Sequence, residues 1–442
     1  MKSLCFYFQV HQPFRLRKYQ IFDIGKSTAY FDDAKNQQIL QKVANKCYLP
    51  TNNLMLSLIE QFEGKFKIAY SISGVAIEQF EQYCPEVLES FMDLADTGCV
   101  EFLDETYYHS LAWLNSKSEF RHQILQHRRL MKSLFNCEPK VFRNTELIFN
   151  NEIAKFIEDM GYEGIVAEGA DHVLGWRSPN YVYRPKTANR IKLLLKNYKL
   201  SDDIAFRFSD KNWKEWPLTT EKYVSWLNSV QGDTVNLFMD YETFGEHQWR
   251  DTGIFNFMKH LPEEVLKAGY EFKTPSETIN YPIVAELDIH NLVSWADVER
   301  DISAWVGNKM QDAAMHELYK IESAILKTND TKLLEDWRKL QTSDHFYYMC
   351  TKWFADGDVH KYFNPYNSPY DSFITFMNVL QDVTRRLHTV EQNTIKNPMQ
   401  QLKQMQNQLS QVQNSVQQNQ VQNLSQNPEL KVQQKDDLRY IN

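Results

Sequence analysis

The sequence predicts an α/β protein on three observations: short apolar runs recur through its first two thirds, amphipathic stretches separate most of them, and polar groups gather where the runs end. The runs are LCFYFQV (4–10), FKIAYSI (66–72), CVEFL (99–103), KVFR (140–143), GIVAE (164–168), IAFRF (204–208) and VNLFMD (235–240). One unit is legible in full. After KVFR, Asn151 can cap a helix over EIAKFIEDM, Gly161 can end it, and GIVAE follows as the next strand. Such parallel β-α-β units build an α/β barrel or an open α/β sheet, and the pattern alone does not choose between them.

The run ends carry the chemistry. LCFYFQV is followed by His11-Gln12-Pro13, CVEFL by Asp104-Glu105, KVFR by Asn144-Thr145-Glu146, and GIVAE by Gly169-Ala170-Asp171-His172. VNLFM runs into Asp240 and Glu242, one residue apart. α/β proteins keep their active sites at strand C-terminal ends. One polar loop would say little; five together favour a site.

From 285 to 388 the pattern turns helical. ADVERDISAWVGNKMQDAAMHELYKIESAIL has apolar residues at three- and four-residue intervals, and KLLEDWRKLQ and SFITFMNVLQDVTRRL read as further helices. Residues 389–442 are a Gln/Asn-rich, low-complexity tail, expected to be disordered because few apolar groups offset the ordering entropy. The alternative is a weak self-association helix on Leu402, Met405, Leu409, Val412 and Val416, which alternate by three and four over only about two heptads.

Bulk composition narrows the function. Across 442 residues, 43% are hydrophobic and 24% charged, a globular balance. A net charge of −8 without a basic block disfavours nucleic acid as a partner. No apolar run approaches the roughly 18 residues of a membrane span. The short apolar N-terminus has no cleavage-site pattern and reads as a first strand, so the cytoplasm is the expected location. Six scattered cysteines predict neither a disulfide framework nor a zinc site. Aromatics reach 14%, many beside acids or amides as in DETYYHS and TFGEHQW, which suits a sugar cleft as well as a core.

Two carboxyl groups facing one cleft are the usual equipment for breaking a glycosidic bond. Glu146 and Asp240 each follow a predicted strand and lie far apart in the chain, so parallel strands can bring them together. The motifs HQP (11–13), GCVEFL (98–103), FRNTEL (142–147), MDYETFGEHQW (239–249) and LVSWADVERDISAW (292–305) occur in this order. They resemble the five sequence regions of glycoside hydrolase family 57, the alpha-amylase and 4-alpha-glucanotransferase family, over residues 1 to 385.

The resemblance implies a (β/α)7 barrel, an incomplete relative of the eight-fold barrel, over 1–284, with 285–388 as a helical region closing the site. It implies retaining cleavage of α-1,4-glucosidic bonds in glycogen, starch or maltodextrins, with Glu146 as nucleophile and Asp240 as general acid/base. His11, Glu101, Glu242 and Trp295 become substrate-contacting or supporting residues, and Asp344 and His345 reach the cleft from the helical region. Neither a metal nor an organic cofactor is required. His109, in DETYYHS, binds substrate or makes a structural hydrogen bond. Glu242 orients Asp240, binds a sugar hydroxyl, or pairs with a nearby Arg or Lys.

His122 and His127, five apart, read as surface residues. Trp113, Trp176, Trp213, Trp216 and Trp249 are the candidates for stacking on glucose. The rivals are a 4-alpha-glucanotransferase or branching enzyme on the same intermediate, a metal-dependent polysaccharide deacetylase, which lacks its HxxxH here, and a non-catalytic glucan-binding protein. The RNTE wording before the nucleophile, in place of WLAE, points to the amylase-like branch without fixing the acceptor. Oligomeric state is not legible.

Overall fold

The computed structural model describes residues 2–352 and 364–426. Its strands are β1 (Ser3–Val10), β2 (Ile68–Ile72), β3 (Val100–Phe102), β4 (Val141–Arg143), β5 (Gly164–Glu168), β6 (Val182–Pro185), β7 (Lys192–Lys196), β8 (Thr234–Asp240), β9 (Glu271–Phe272) and β10 (Ile283–Leu287). Two sheets form, one ordered β3-β2-β1-β8 with β9 also on β1, the other β10-β6-β7-β5-β4.

The sheets meet at both edges. Asp104 N donates to Val141 O at 3.1 Å and Arg143 N to Asp104 O at 2.8 Å, joining β3 to β4. Asn197 N donates to Asn236 O at 2.9 Å, and Asn236 Nδ2 to Leu195 O at 2.9 Å, joining β7 to β8. Seven parallel strands (β1, β2, β3, β4, β5, β7, β8) thus close into the (β/α)7 barrel, and β6 and β10 lie outside the ring.

Alternation along the strands layers the interior. Tyr7, Ala69, Val141, Val166, Leu194 and Phe238 pack as one apolar floor. Two residues further along the same strands stand Gln9, Ser71, Arg143, Glu168, Lys196 and Asp240. The first five are buried. Polar groups this deep must be hydrogen-bonded or paired, which makes this layer the place for chemistry.

One strand expectation fails. IAFRF is not a strand: Ile204 and Ala205 finish the helix Tyr198–Ala205, started by the Asn197 side chain accepting from Leu200 N at 3.1 Å. The strand is instead KLLLK (β7), whose terminal lysines hid it. Lys192 Nζ donates to Ile279 O at 2.6 Å, and Lys196 Nζ meets Asp202 at 3.1 Å. Nor is His127 a surface residue. The helix Lys117–Phe135 buries it completely, with Nε2 donating to Ile72 O at 2.8 Å and Nδ1 against Asp104.

The expected division at 284/285 falls inside β10, which pairs with β6. Residues 295–302 form a loop, not a helix, before the helices Ser303–Val306 and Lys309–Lys320. The last helix, Pro369–Gln426, is pinned near its start: Asp382 accepts from Gly25 N at 2.7 Å and Tyr30 Oη at 2.6 Å, and Arg386 pairs with Asp336 at 2.6 Å. It continues through 389–426, where a disordered tail was expected, and Met405, Leu409, Val412 and Val416 are exposed on it. Residues 427–442 lie outside the described ones. All six cysteines are free, and no described helix is long and apolar enough to cross a membrane.

Asn236 is fully buried and carries a side-chain link across the β7–β8 seam. Asn236→Ala leaves the Leu195 carbonyl unpaired. Equilibrium urea unfolding is expected to lose about 1–3 kcal/mol, the cost of one orphaned buried acceptor. An unchanged midpoint would remove this bond from the account of barrel closure.

Candidate active site

Glu146 is delivered by a tight turn after β4. Leu147 N donates to Asn144 O at 2.9 Å, and Asn144 Nδ2 to Ile148 O at 2.8 Å. Glu146 and Leu147 sit at φ 57° and 51°. Left-handed backbone costs a non-glycine residue on the order of 1–3 kcal/mol. Burial of Leu147 in the barrel floor offsets part of that. A second segment clamps the turn: Phe149 and Val293 exchange backbone bonds at 2.9 and 3.0 Å, and Trp295 N donates to Glu146 O at 3.2 Å.

The Glu146 carboxylate, 4% exposed, is met from three sides. Trp295 Nε1 donates to Oε2 at 2.8 Å, Ser343 Oγ donates to Oε1 at 2.9 Å, and His109 Nε2 stands 3.4 Å from Oε1. Each favours a charged, fixed carboxylate. His109 also bonds Glu105 through Nδ1, at 2.8 Å. Burial alone would lower the His109 pKa, but the bonds to Glu105 and Glu146 outweigh it and raise it to about 9. Glu105 is fully buried, which opposes its charge. His109 and Arg143 nevertheless hold it down at about 2. The line Glu105–His109–Glu146 is therefore carboxylate, imidazolium, carboxylate.

His11 stacks on His109 with ring centroids 3.9 Å apart. Burial first, then that neighbouring charge, pushes its pKa down to about 4, so it is neutral near pH 7. Nε2 donates to Asp344 Oδ2 at 3.0 Å, since a carboxylate only accepts, leaving Nδ1 to accept from Ser73 Oγ at 2.7 Å.

Across the cleft, Asp240 ends β8. Tyr241 anchors the next turn, donating to Asn52 Oδ1 at 2.7 Å among the rings of Phe8, Tyr48 and Tyr70. Glu242 is buried beyond it, pushed up to about 8 by burial and then by the nearby Asp240 charge. Its partners are the Tyr48 hydroxyl and Gln12 Nε2, not an Arg or Lys. Glu242 thus holds a proton at neutral pH.

Open space around these groups forms two lobes of about 80 Å³ each, which share Asp240, His247 and Trp295. One contains Glu146, His11, His109, Glu242 and Asp344. The other is lined by Lys196, Asp202, Phe206, Asp297, Arg300 and Tyr347. Arg300 pairs with Asp202 at 3.4 Å and reaches the Trp295 carbonyl, tying the 295–302 loop over the second lobe.

The structure therefore gathers Glu146, Asp240, His11, His109, Glu242, Trp295 and Asp344. Two expected residues lie elsewhere. Glu101 sits on β3 beside Ala69, and its carboxylate accepts from Ser276 N at 2.9 Å, off the cleft. His345 follows Asp344 on a helix but turns inward: it is 1% exposed, 6.0 Å from the Phe376 ring, and lines neither lobe. None of the five candidate tryptophans lines a lobe either; Trp113 is buried, Trp213 packs on Trp226, and Trp176, Trp216 and Trp249 are exposed.

Sequence reasoning missed Ser343 and His247 as site residues. Glu105 and His109 carried a signal, the i,i+4 spacing in DETYYHS. His247 lay within the DYETFGEHQW motif, where Gly245 permits the turn: at φ 109°, a Cβ there would meet Lys46 O at 1.9 Å. Ser343 had no signal at all. Among the described residues, no cluster of three or more His, Cys, Asp or Glu is placed to hold a metal ion.

The comparisons agree with this architecture. The family model for glycosyl hydrolase family 57 matches residues 5–291. A Methanocaldococcus jannaschii protein, provisionally named an alpha-amylase, is 45% identical over 395 residues, covering 86% of this chain and 83% of that one. Two solved structures share the fold. The 4-alpha-glucanotransferase of Thermococcus litoralis aligns with TM-score 0.63 at 14% identity, over 87% of this chain, which spans only 60% of that one. A branching enzyme of Thermococcus kodakaraensis aligns with TM-score 0.62 at 14% identity, over 88% of this chain and 90% of that one.

Folding raises the His109 pKa from 6.5 to about 9, so the folded state keeps a proton that the unfolded chain releases. Its contribution is full below pH 6.5 and lost as pH rises through about 9. Denaturant unfolding of the wild type is expected to weaken across that window, and of His109→Gln to weaken less. Parallel pH curves for the two proteins would contradict a charged His109.

Proposed function

The chain belongs to glycosyl hydrolase family 57, and from that membership we propose a retaining enzyme that hydrolyses α-1,4-glucosidic bonds in the manner of an alpha-amylase. The observation carrying this reading is the contrast between two carboxyl environments in one cleft. Glu146 is fixed by the Trp295 and Ser343 donors beside a cationic His109, while Asp240 stands beside Glu242, a carboxyl pushed up to about 8 by burial and by the Asp240 charge. Carboxyl groups set apart in this way suit a nucleophile and an acid.

In this reading Glu146 attacks C1 of the bound glucose as the C1–O bond to the leaving chain breaks. Asp240 gives its proton to the leaving oxygen. A water molecule, losing a proton to Asp240, then attacks C1 and releases Glu146 from the ester. His11, Asp344 and His109 face the donor sugar in the lobe that contains Glu146, and Glu242 replenishes or orients the proton on Asp240. Glycogen, starch and maltodextrins are the substrate class, met in the cytoplasm.

If a sugar hydroxyl takes the place of water, the same intermediate gives 4-alpha-glucanotransfer or branching. Incubation with maltoheptaose separates these outcomes. Reducing ends that rise as products shorten support hydrolysis. Longer and shorter chains at a constant reducing-end count would replace hydrolysis with transfer.

Glu146→Gln and Asp240→Asn are expected to lose turnover by roughly 10³-fold or more with the fold retained by circular dichroism. Trp295→Phe, which deletes one donor to Glu146, is expected to lower kcat by roughly 10²-fold. The pH profile of kcat/KM tests the proton pair. Its alkaline limb is expected near pH 8, where Glu242 ionises. In Glu242→Gln the group titrating near pH 8 is gone, so that limb is expected to disappear. A limb that stays put would exclude Glu242 from the proton inventory.

A further inference from the structure

Trp295 offers its indole donor to Glu146 from the first position of the 295–302 loop, so the aim of that donor depends on what holds the loop. Ser294 closes the loop at its base: its N donates to Arg300 O at 3.1 Å and its Oγ to Asp301 O at 2.5 Å. Asp297 and Arg300 both sit at φ 53°, a left-handed backbone that persists only where the surroundings impose it. Val298, between them, is 68% exposed, so apolar burial does not hold the tip of the loop.

The Arg300 side chain does. Its Nη1 donates to the Trp295 carbonyl and stands 3.8 Å from Glu168 Oε2, while Nη2 pairs with Asp202 Oδ2 at 3.4 Å. The guanidinium also lies 4.8 Å from the ring centroid of Tyr198. Glu168 ends β5, and Tyr198 and Asp202 belong to the helix after β7, so every grip outside the loop comes from the barrel wall. One planar fork therefore joins that wall to the carbonyl of the residue whose indole bonds Glu146. Only a side chain with donors spread over two nitrogens can bridge a carboxylate and a carbonyl in this way.

We propose that Arg300 is a positioning residue for the nucleophile: its fork between Asp202 and the Trp295 carbonyl aims the Trp295 indole at Glu146. The inference rests on the reading of Glu146 as nucleophile. The path is short, because Trp295 N also donates to Glu146 O at 3.2 Å, so the Trp295 carbonyl, its indole and the Glu146 carboxylate shift together. Arg300 acts here through Trp295. Because it also lines the lobe without Glu146, the competing role is a direct contact with the leaving chain, and the two roles differ in whether they need the indole.

The test is a double-mutant cycle read by maltoheptaose kinetics. Arg300→Ala is expected to lower kcat about tenfold with KM changed less than about twofold, the scale of a donor displaced rather than deleted. In the Trp295→Phe background, which has no indole N–H to aim, the same change is expected to cost less than about twofold. Arg300→Lys keeps a positive charge between Glu168 and Asp202, which protects the fold, but its single ammonium does not span carboxylate and carbonyl. It is expected to repeat the loss in kcat. A tenfold loss that persists in the Trp295→Phe background would overturn the tether and make Arg300 a contact of the leaving chain. Full activity in Arg300→Ala or Arg300→Lys would overturn it as well. If the wild type turns over maltoheptaose and Glu146→Gln does not, these outcomes sink the tether alone. If the wild type turns over no glucan, the tether and the glucan reading fall together.

Discussion

The cleft is organised around a buried line of charge, Glu105–His109–Glu146. Placing two carboxylates in a region nearly closed to water costs several kcal/mol per ion unless each meets a partner. His109 supplies that partner to both, at 2.8 and 3.4 Å. Gln9 Nε2 adds a bond to Glu105 at 3.1 Å, and Arg143 stands 3.9 Å from it. Those five residues come from the ends of β1 and β4, the loop after β3 and the turn after β4. The barrel is what brings these strand ends within one ion pair of each other. Once His109 is charged, its stacked neighbour His11 is kept neutral, and Asp344 and Ser73 fix its tautomer. The charge line therefore fixes more than the side chain of Glu146.

Opposite it, Glu242 is stabilised by a different physics. Among the described residues no ion pair reaches Glu242; a phenol and an amide face it, and its neighbour is another acid. Burial without a counter-ion favours the neutral form, so the proton remains on this side of the cleft. The barrel thus keeps two kinds of carboxyl group a few strands apart, one compensated by charge and one by protonation. Nearby, Lys196 and Arg300 pair with Glu168 and Asp202.

Much of this was legible in the sequence because strand ends and carboxylates are local signals. Six of the seven barrel strands coincide with apolar runs, and the Asn151–Gly161 punctuation marks a helix the structure contains at Asn151–Asp159. What failed was decided by partners far away in the chain. KLLLK is a strand only because buried acids and a carbonyl receive its lysines. Glu101 belongs to a matching motif yet serves the Ser276 amide, and His345 is turned from the cleft while Asp344 beside it faces in. Ser343 bonds Glu146 from 197 residues away, a distance that no spacing rule spans. In the terminal helix, composition weighed the cost of ordering, while the fold supplies a nucleus in the pinned turns around Asp382 and Arg386 from which a helix can propagate.

Strain is distributed with the same logic. Of seven non-glycine residues with positive φ among those described, five are His109, Glu146, Leu147, Asp297 and Arg300, all in or beside the cleft. Such backbone persists only where the surroundings over-determine it. Here they do: the Phe149–Val293 pair and the Trp295–Glu146 bond hold one turn, and the reach of Arg300 to the Trp295 carbonyl holds the other. Both constraints pass through Trp295. Its backbone is fixed to Glu146 and its indole to the same carboxylate, while its ring lies near the Arg143 and Lys196 cations at 5.1 and 5.4 Å. Relaxing either loop would therefore shift the indole donor and the carboxylate together, so the strain and the site geometry are maintained by one set of contacts.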